Sequence, residues 1–185
     1  MVKRIHQDYV DAGAELLITN TFSSNRHVLG AEDKAHLAED ANLVAVRIAR
    51  EVAAAAGREV WVGGSMSTHP PRSLAVLKAI RAGARDSGAN ITEVCVWPPP
   101  EEEEENYAAQ AAQLAAGGVD CLCLEMVMSV EHGIRICRAA ASTQVPVLIG
   151  ITTRCDAAGK TYLRDDPDAI PLDQVATPLW LRFRH

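Results

Sequence analysis

Gly13-Ala14-Glu15-Leu16-Leu17-Ile18-Thr19-Asn20 and Gly118-Val119-Asp120-Cys121-Leu122-Cys123-Leu124-Glu125 are two versions of one unit. Each opens on a helix-ending glycine, passes an acid, runs through a short apolar stretch and finishes on a polar residue. Leu16 to Phe22 and Cys121 to Val127 therefore read as buried parallel strands, and Val60 to Met66 and Pro146 to Thr152 have the same character. Between these runs Leu37, Ala41, Val44, Ile48 and Val52 step by three or four, as do Val130, Ile134, Cys137 and Ala141. Such spacing predicts helices that turn one apolar stripe to a sheet. The result is an α/β chain of four parallel strands with outer helices, in which Asn20 and Glu125 hold equivalent strand ends. In a parallel barrel those ends face the catalytic mouth; in a flavodoxin-like open sheet they face the ligand crevice, and periodicity does not separate the two.

The 185 residues fit one domain, residues 1–185, with 48% hydrophobic residues to build a core and 23% charged residues to cover it. No apolar run reaches the roughly 18 residues of a membrane span, and Met1 to His6 reads as an amphipathic helix rather than a signal peptide. A cytoplasmic protein without a membrane partner is expected. A net charge of −6 without a basic stripe argues against nucleic acid and for small-molecule partners. The five cysteines, Cys95, Cys121, Cys123, Cys137 and Cys155, lack C-x-x-C pairs and read as reduced thiols.

The least regular stretch is Ser67 to Pro100, bounded by His69-Pro70-Pro71 and Trp97-Pro98-Pro99-Pro100, with a short helix expected over Ser73 to Arg85. Glu101 to Glu105 follow the prolines and suit a helix N-terminus, whose dipole favours carboxylates. Polar groups at strand ends are the candidates for chemistry. Glu125 leads, because a carboxylate on a buried strand is costly unless it is paired or used. Asn20 and Thr21 bind a substrate or satisfy loop backbone. Gly63-Gly64 permits close backbone approach without the spacing of a phosphate loop. For His69 and His132 a surface position is the default.

A family then takes shape. His6, Tyr9, Ala12-Gly13-Ala14, Thr19-Asn20-Thr21-Phe22, Asn25, Gly64-Ser65, Asn106-Tyr107, Gln110, Leu114, Gly117-Gly118-Val119-Asp120, Leu124-Glu125 and Pro146-Val147 occur in an order that resembles the homocysteine S-methyltransferase domain. The match runs from about residue 5 to about residue 155. The resemblance implies a (β/α)8 TIM barrel, here a partial one, in which homocysteine bound to zinc through its thiolate attacks the methyl group of a donor. It implies that Glu125 binds the amino-acid part of homocysteine, with Asn20 and Thr21 lining the same mouth.

The departures are as informative. The family's D-G-G segment on its first strand and its zinc cysteines, in G-x-N-C and G-G-C-C contexts, have no counterpart, so the chain resembles a domain truncated at both ends. Cys121 and Cys123 share one face of a strand and look like core thiols, and Cys155 comes too early. Zinc belongs to the intact family; neither a metal site nor methyl transfer is expected of this chain alone. The competing expectation is a non-catalytic binding or assembly module derived from a half-barrel. Four strands leave two open edges, so a homo-oligomer is expected through them.

Overall fold

The sheet follows the order of the chain. In the computed structural model β1 (Leu16–Ile18), β2 (Trp61–Ser67), β3 (Cys121–Val127) and β4 (Val147–Ile151) lie side by side in that order, and every neighbouring pair is parallel. Residues 1–71, 97–164 and 171 are described; the helix expected over Ser73 to Arg85, Cys95 and the tail from Pro178 lie outside them. The strands match the four apolar runs, except that β1 stops at Ile18, where side-chain hydroxyls take over from the ladder. A separate antiparallel hairpin, β5 (Thr153–Cys155) with β6 (Thr161–Leu163), follows β4, and its Leu163 is buried in the core.

The helices are α1 (Val2–Asp11), α2 (Arg26–Gly30), α3 (Ala38–Ala55), α4 (Pro100–Ala116) and α5 (Val130–Ala141). Helix α1 packs on α3, α3 on α4 and α4 on α5, which makes one helical layer on one side of the sheet, as right-handed crossovers require. Between the layers Val62, Met66, Leu122 and Leu124 of the sheet meet Val46, Tyr107, Leu114 and Ile136 of the helices. Register places Leu16, Ile18, Trp61, Gly63, Ser65, Cys121, Cys123, Glu125 and Leu148 on the opposite face, which would be the interior of a closed barrel. Among the described residues no helix is long and apolar enough to cross a membrane.

The expected helical stripes are rotated. On α3 the buried positions are Ala38, Asn42, Ala45, Val46, Ala49, Val52 and Ala53, whereas Leu37 and Val44 are exposed. Small residues allow close approach: Val46 stands against Gly117, where an added Cβ would lie 2.9 Å from its Cγ1. On α5 the buried side carries Gly133, Ile136, Cys137, Ala139 and Ala140, and Gly133 leaves room for Val127 in the same way. Alanine and glycine faces carry a weak hydrophobic signal, and the larger residues beside them drew the stripe off its true direction.

The repeated unit owes part of its geometry to its acid. Asp120 pairs with Arg50 of α3, whose Nη2 lies 2.7 Å from Oδ1, while Oδ2 accepts the Val62 amide at 2.7 Å. Arg50 also donates through Nε to the Gly118 carbonyl at 2.6 Å, just past the C-terminus of α4. One carboxylate thus joins the entry of β3 to β2 and α3. Both side chains are about one-third exposed, so we expect Asp120→Ala to cost only about 1–2 kcal/mol, with the strand amide left unpaired as the larger part. Urea denaturation checks this, and a change below about 0.5 kcal/mol would show the contact to be idle.

Candidate functional site

At the carboxyl end of the sheet the chain leaves β1 through Thr19-Asn20-Thr21-Phe22, and two hydroxyls continue the pairing. Thr19 Oγ1 accepts the Ser65 amide at 3.0 Å and lies 2.7 Å from Thr21 Oγ1, which donates to the Ser65 carbonyl at 2.7 Å. Behind them Gln110 of α4, itself buried, donates to the Thr21 carbonyl at 2.9 Å. Ser24 Oγ lies within hydrogen-bond reach of the Thr21 carbonyl and of Asn42 Oδ1, at 2.8 and 2.5 Å. Asn25 accepts the Val28 amide at 2.9 Å and starts α2. The T-N-T-F segment is therefore clamped from the strand side and the helix side.

Glu125 sits at the end of β3, half-buried, on the concave face. Ser65 Oγ donates to its Oε1 at 2.5 Å. Ser65 therefore joins two of the three candidates: its carbonyl holds Thr21 and its hydroxyl holds Glu125. Thr21 is fully buried with its hydroxyl committed to backbone, whereas Asn20 is exposed and makes no side-chain hydrogen bond among the described residues. Just after Glu125 the β3–β4 register shifts, and Met126 adopts a positive φ of 55°. A left-handed, non-glycine residue in a bulge stores local strain, and bulges of this kind re-aim side chains beside functional sites.

The four described thiols do not converge as a zinc site requires. Cys121 and Cys123 stand on one face of β3 with their sulfurs 4.0 Å apart, Cys137 is buried on α5, and Cys155 is exposed on β5. Burial first, then the neighbouring Cys121 and Glu125, push the Cys123 thiol up to about 12, and burial alone takes Cys137 to about 12. Among the described residues no three His, Cys, Asp or Glu side chains form a metal-holding group. The described residues therefore do not fit the family's zinc. Gly63 and Gly64 serve packing: a Cβ would meet Cys123 Sγ at 2.7 Å on the first, and Leu114 and Leu122 side chains at 3.1 Å on the second.

A cluster that sequence reasoning missed lies nearby, where α4 and α5 begin. Glu101, Glu102 and Glu103 occupy the first turn of α4, as the glutamate run suggested, but Glu103 is buried. Its Oε1 accepts from His132 Nδ1 at 2.7 Å and its Oε2 from Arg135 Nη1 at 2.7 Å. Arg135 also pairs with Glu131. His132 is not a free surface residue: its ring stacks on Trp97 with centroids 3.8 Å apart. Burial raises the Glu103 pKa, yet hydrogen bonds and charge from His132, then Tyr107 and Arg135, outweigh it and leave the carboxyl below its ordinary value. The phenol of Tyr107 is driven well up by burial and by Glu103. His27, between Tyr107 and Trp97, is lowered to about 4, chiefly by burial.

Comparison with known proteins fits this geometry. The crystal structure of the homocysteine methyltransferase MmuM from Escherichia coli in its metallated form superimposes with a TM-score of 0.69 at 19% identity, covering 98% of this chain and 59% of that one. Its oxidized form gives 0.69 at 17% identity, covering 97% and 57%, and its apo form 0.64 at 18%, covering 99% and 57%. At these identities the likeness concerns the fold, which is part of a TIM barrel, and the chain spans less than two thirds of the solved structures it matches. The sequence model of homocysteine S-methyltransferase matches residues 1–170. With that match over most of its length, the chain belongs to the homocysteine S-methyltransferase family.

Proposed function

We propose that this chain binds the amino-acid part of homocysteine at the carboxyl end of its sheet, with Glu125 receiving the ammonium group and Asn20 beside it, while Thr21 holds the segment in shape. The observation that carries this reading is the Glu125 carboxylate, half-buried at the strand end and held by the Ser65 hydroxyl, with no ion pair to it among the described residues. A half-buried carboxylate is stabilised by a cation that arrives with the ligand. The family's partners are homocysteine and a methyl donor, and its reaction forms a sulfur–carbon bond as the donor's bond to that methyl breaks. Zinc supplies the deprotonated sulfur in the intact family; the described thiols do not make its site, and no step is assigned to it in this chain. We therefore infer a cytoplasmic binding domain that transfers no methyl group by itself and self-associates through its open strand edges. The alternative is a non-catalytic small-molecule-binding or assembly module derived from the half-barrel, with no site for homocysteine at Glu125.

Calorimetric titration with homocysteine separates the two. We expect measurable binding that Glu125→Gln weakens by about 2–4 kcal/mol, the scale of a lost charge-assisted contact. Equal affinity in the variant would reduce Glu125 to a structural residue. Elemental analysis is expected to find well under one zinc per chain, and an assay with donor and homocysteine to yield no methionine; stoichiometric zinc would redirect attention to Cys121, Cys123 and Cys155.

A further inference from the structure

Ser65 is where the supports of the site meet its carboxylate. It lies on β2 between β1 and β3 and is 1% exposed. The backbone ladder from β1 ends where the Thr19 amide donates to the Gly63 carbonyl at 2.9 Å. Beyond that point the Ser65 amide donates to Thr19 Oγ1 and the Ser65 carbonyl accepts from Thr21 Oγ1, while the Thr21 carbonyl is itself held by Gln110 of α4. The backbone of Ser65 is thus fixed on that side without its own side chain, and the hydroxyl is left for another use. Most side-chain hydrogen bonds go to backbone or water, yet this hydroxyl gives its single proton to Glu125 Oε1, 60 residues away. Only one carboxylate oxygen is engaged: Oε2 makes no hydrogen bond or ion pair among the described residues. The neighbours of Glu125 on this face of β3 are Cys121 and Cys123. Cys123, pushed up to about 12 by burial first and then by Cys121 and Glu125, carries no charge near neutrality.

We propose that Ser65 is a positioning residue: by occupying Oε1 it holds the Glu125 carboxylate in one orientation and reserves Oε2 for the ammonium group of an amino acid. The proposal rests on the reading of Glu125 given above. It adds the residue that aims the carboxylate and the ligand feature that this selects, a free α-ammonium. A glutamate side chain otherwise loses its rotamer freedom only when the ligand arrives, and ordering it beforehand removes that cost from binding. A charge-assisted O–H···O bond is strong enough to impose such order, and Ser65 is a fixed donor because Thr19 and Thr21 hold its backbone. The T-N-T-F segment then acts on the ligand through Ser65, since Thr21 is fully buried with its hydroxyl committed to the Ser65 carbonyl. An analogue without the amine brings no cation to Oε2 and gains nothing from the arrangement.

Calorimetric titration of the 185-residue chain with homocysteine and with its desamino analogue, the same thiol acid without the amine, gives the preference for the amine as a ratio of affinities. Ser65→Ala is expected to cut that ratio about tenfold, the scale of one hydrogen bond to a charged group, with the affinity for the desamino analogue unchanged. Ser65→Cys, near in size but a weak donor, is expected to lower the ratio in the same way and stands in should the alanine chain not fold. Ser65→Thr, which keeps a hydroxyl, is expected to retain the parent's ratio. In a Glu125→Gln background Ser65→Ala is expected to leave the ratio as it is, because the two side chains act as one unit. A serine that merely supports the fold would weaken both ligands alike. The proposal is overturned if Ser65→Ala or Ser65→Cys keeps the parent's ratio, if both affinities fall together, or if the loss persists undiminished in Glu125→Gln. A parent that binds the two ligands equally would remove the ammonium site at Glu125 itself, and this proposal with it, so the two failures are told apart.

Discussion

Glu103→Ala is expected to lower the unfolding free energy by about 3 kcal/mol, the lower end for removing one partner of a buried ion pair. The estimate stays at that end because Arg135 keeps Glu131 as a partner. The loss is still a large part of the stability of a domain this size, about 5–15 kcal/mol. The same residue sets an acid limb. Its pKa is lower in the folded chain than its ordinary value of 4.5, so the unfolded chain takes up its proton first as pH falls. The stabilisation is fully present above that ordinary value and is lost as pH drops through the folded one. Thermal melts of the parent should therefore fall more steeply below about pH 4.5 than melts of Glu103→Gln, which has no proton to gain there. Parallel curves would mean that the carboxylate contributes no more than a neutral amide.

Leu114→Ala is expected to cost about 3–4 kcal/mol, since the side chain is fully buried between α4 and β2 and its removal leaves a cavity. The partner across the gap makes this a coupled experiment. A methyl group at Gly64 would stand 3.1 Å from Leu114 Cδ1, so Gly64→Ala alone should cost about 1–2 kcal/mol by overpacking. Placed in the Leu114→Ala background, the same methyl loses its contact with Cδ1 but still meets Leu122 Cδ2 at 3.1 Å, and should cost less than it does alone. Chemical denaturation of the four proteins gives the cycle; additivity within about 0.5 kcal/mol would show that helix and strand do not meet there.

How far the sequence could be read depended on whether a residue's partners were local. Cys121 to Val127 announced itself because both alternating faces of β3 are covered, which produces an unbroken apolar run. Glu125 at its end was legible as a costly carboxylate. Thr21 was not assignable between substrate and backbone, because its acceptor is the carbonyl of Ser65, 44 residues away. Glu103 was hidden among four other glutamates of one helix turn and a half, and only the third dimension brings His132 and Arg135, 29 and 32 residues on, to that one carboxylate. The stripe of α3 was misdirected because its contact face is alanine, with a polar Asn42 at its centre. The shared face of Cys121 and Cys123, by contrast, followed from spacing alone, because the two alternate in one strand.

A sheet whose spatial order repeats its sequence order has a particular architecture of dependence. Each strand and helix touches the units just before and just after it, so stability is passed along the chain like load through stacked courses, and cooperativity is a nearest-neighbour matter. Folding can then begin in any adjacent pair and spread outward along the chain. Loss of a terminal unit shortens such a molecule without rethreading what remains.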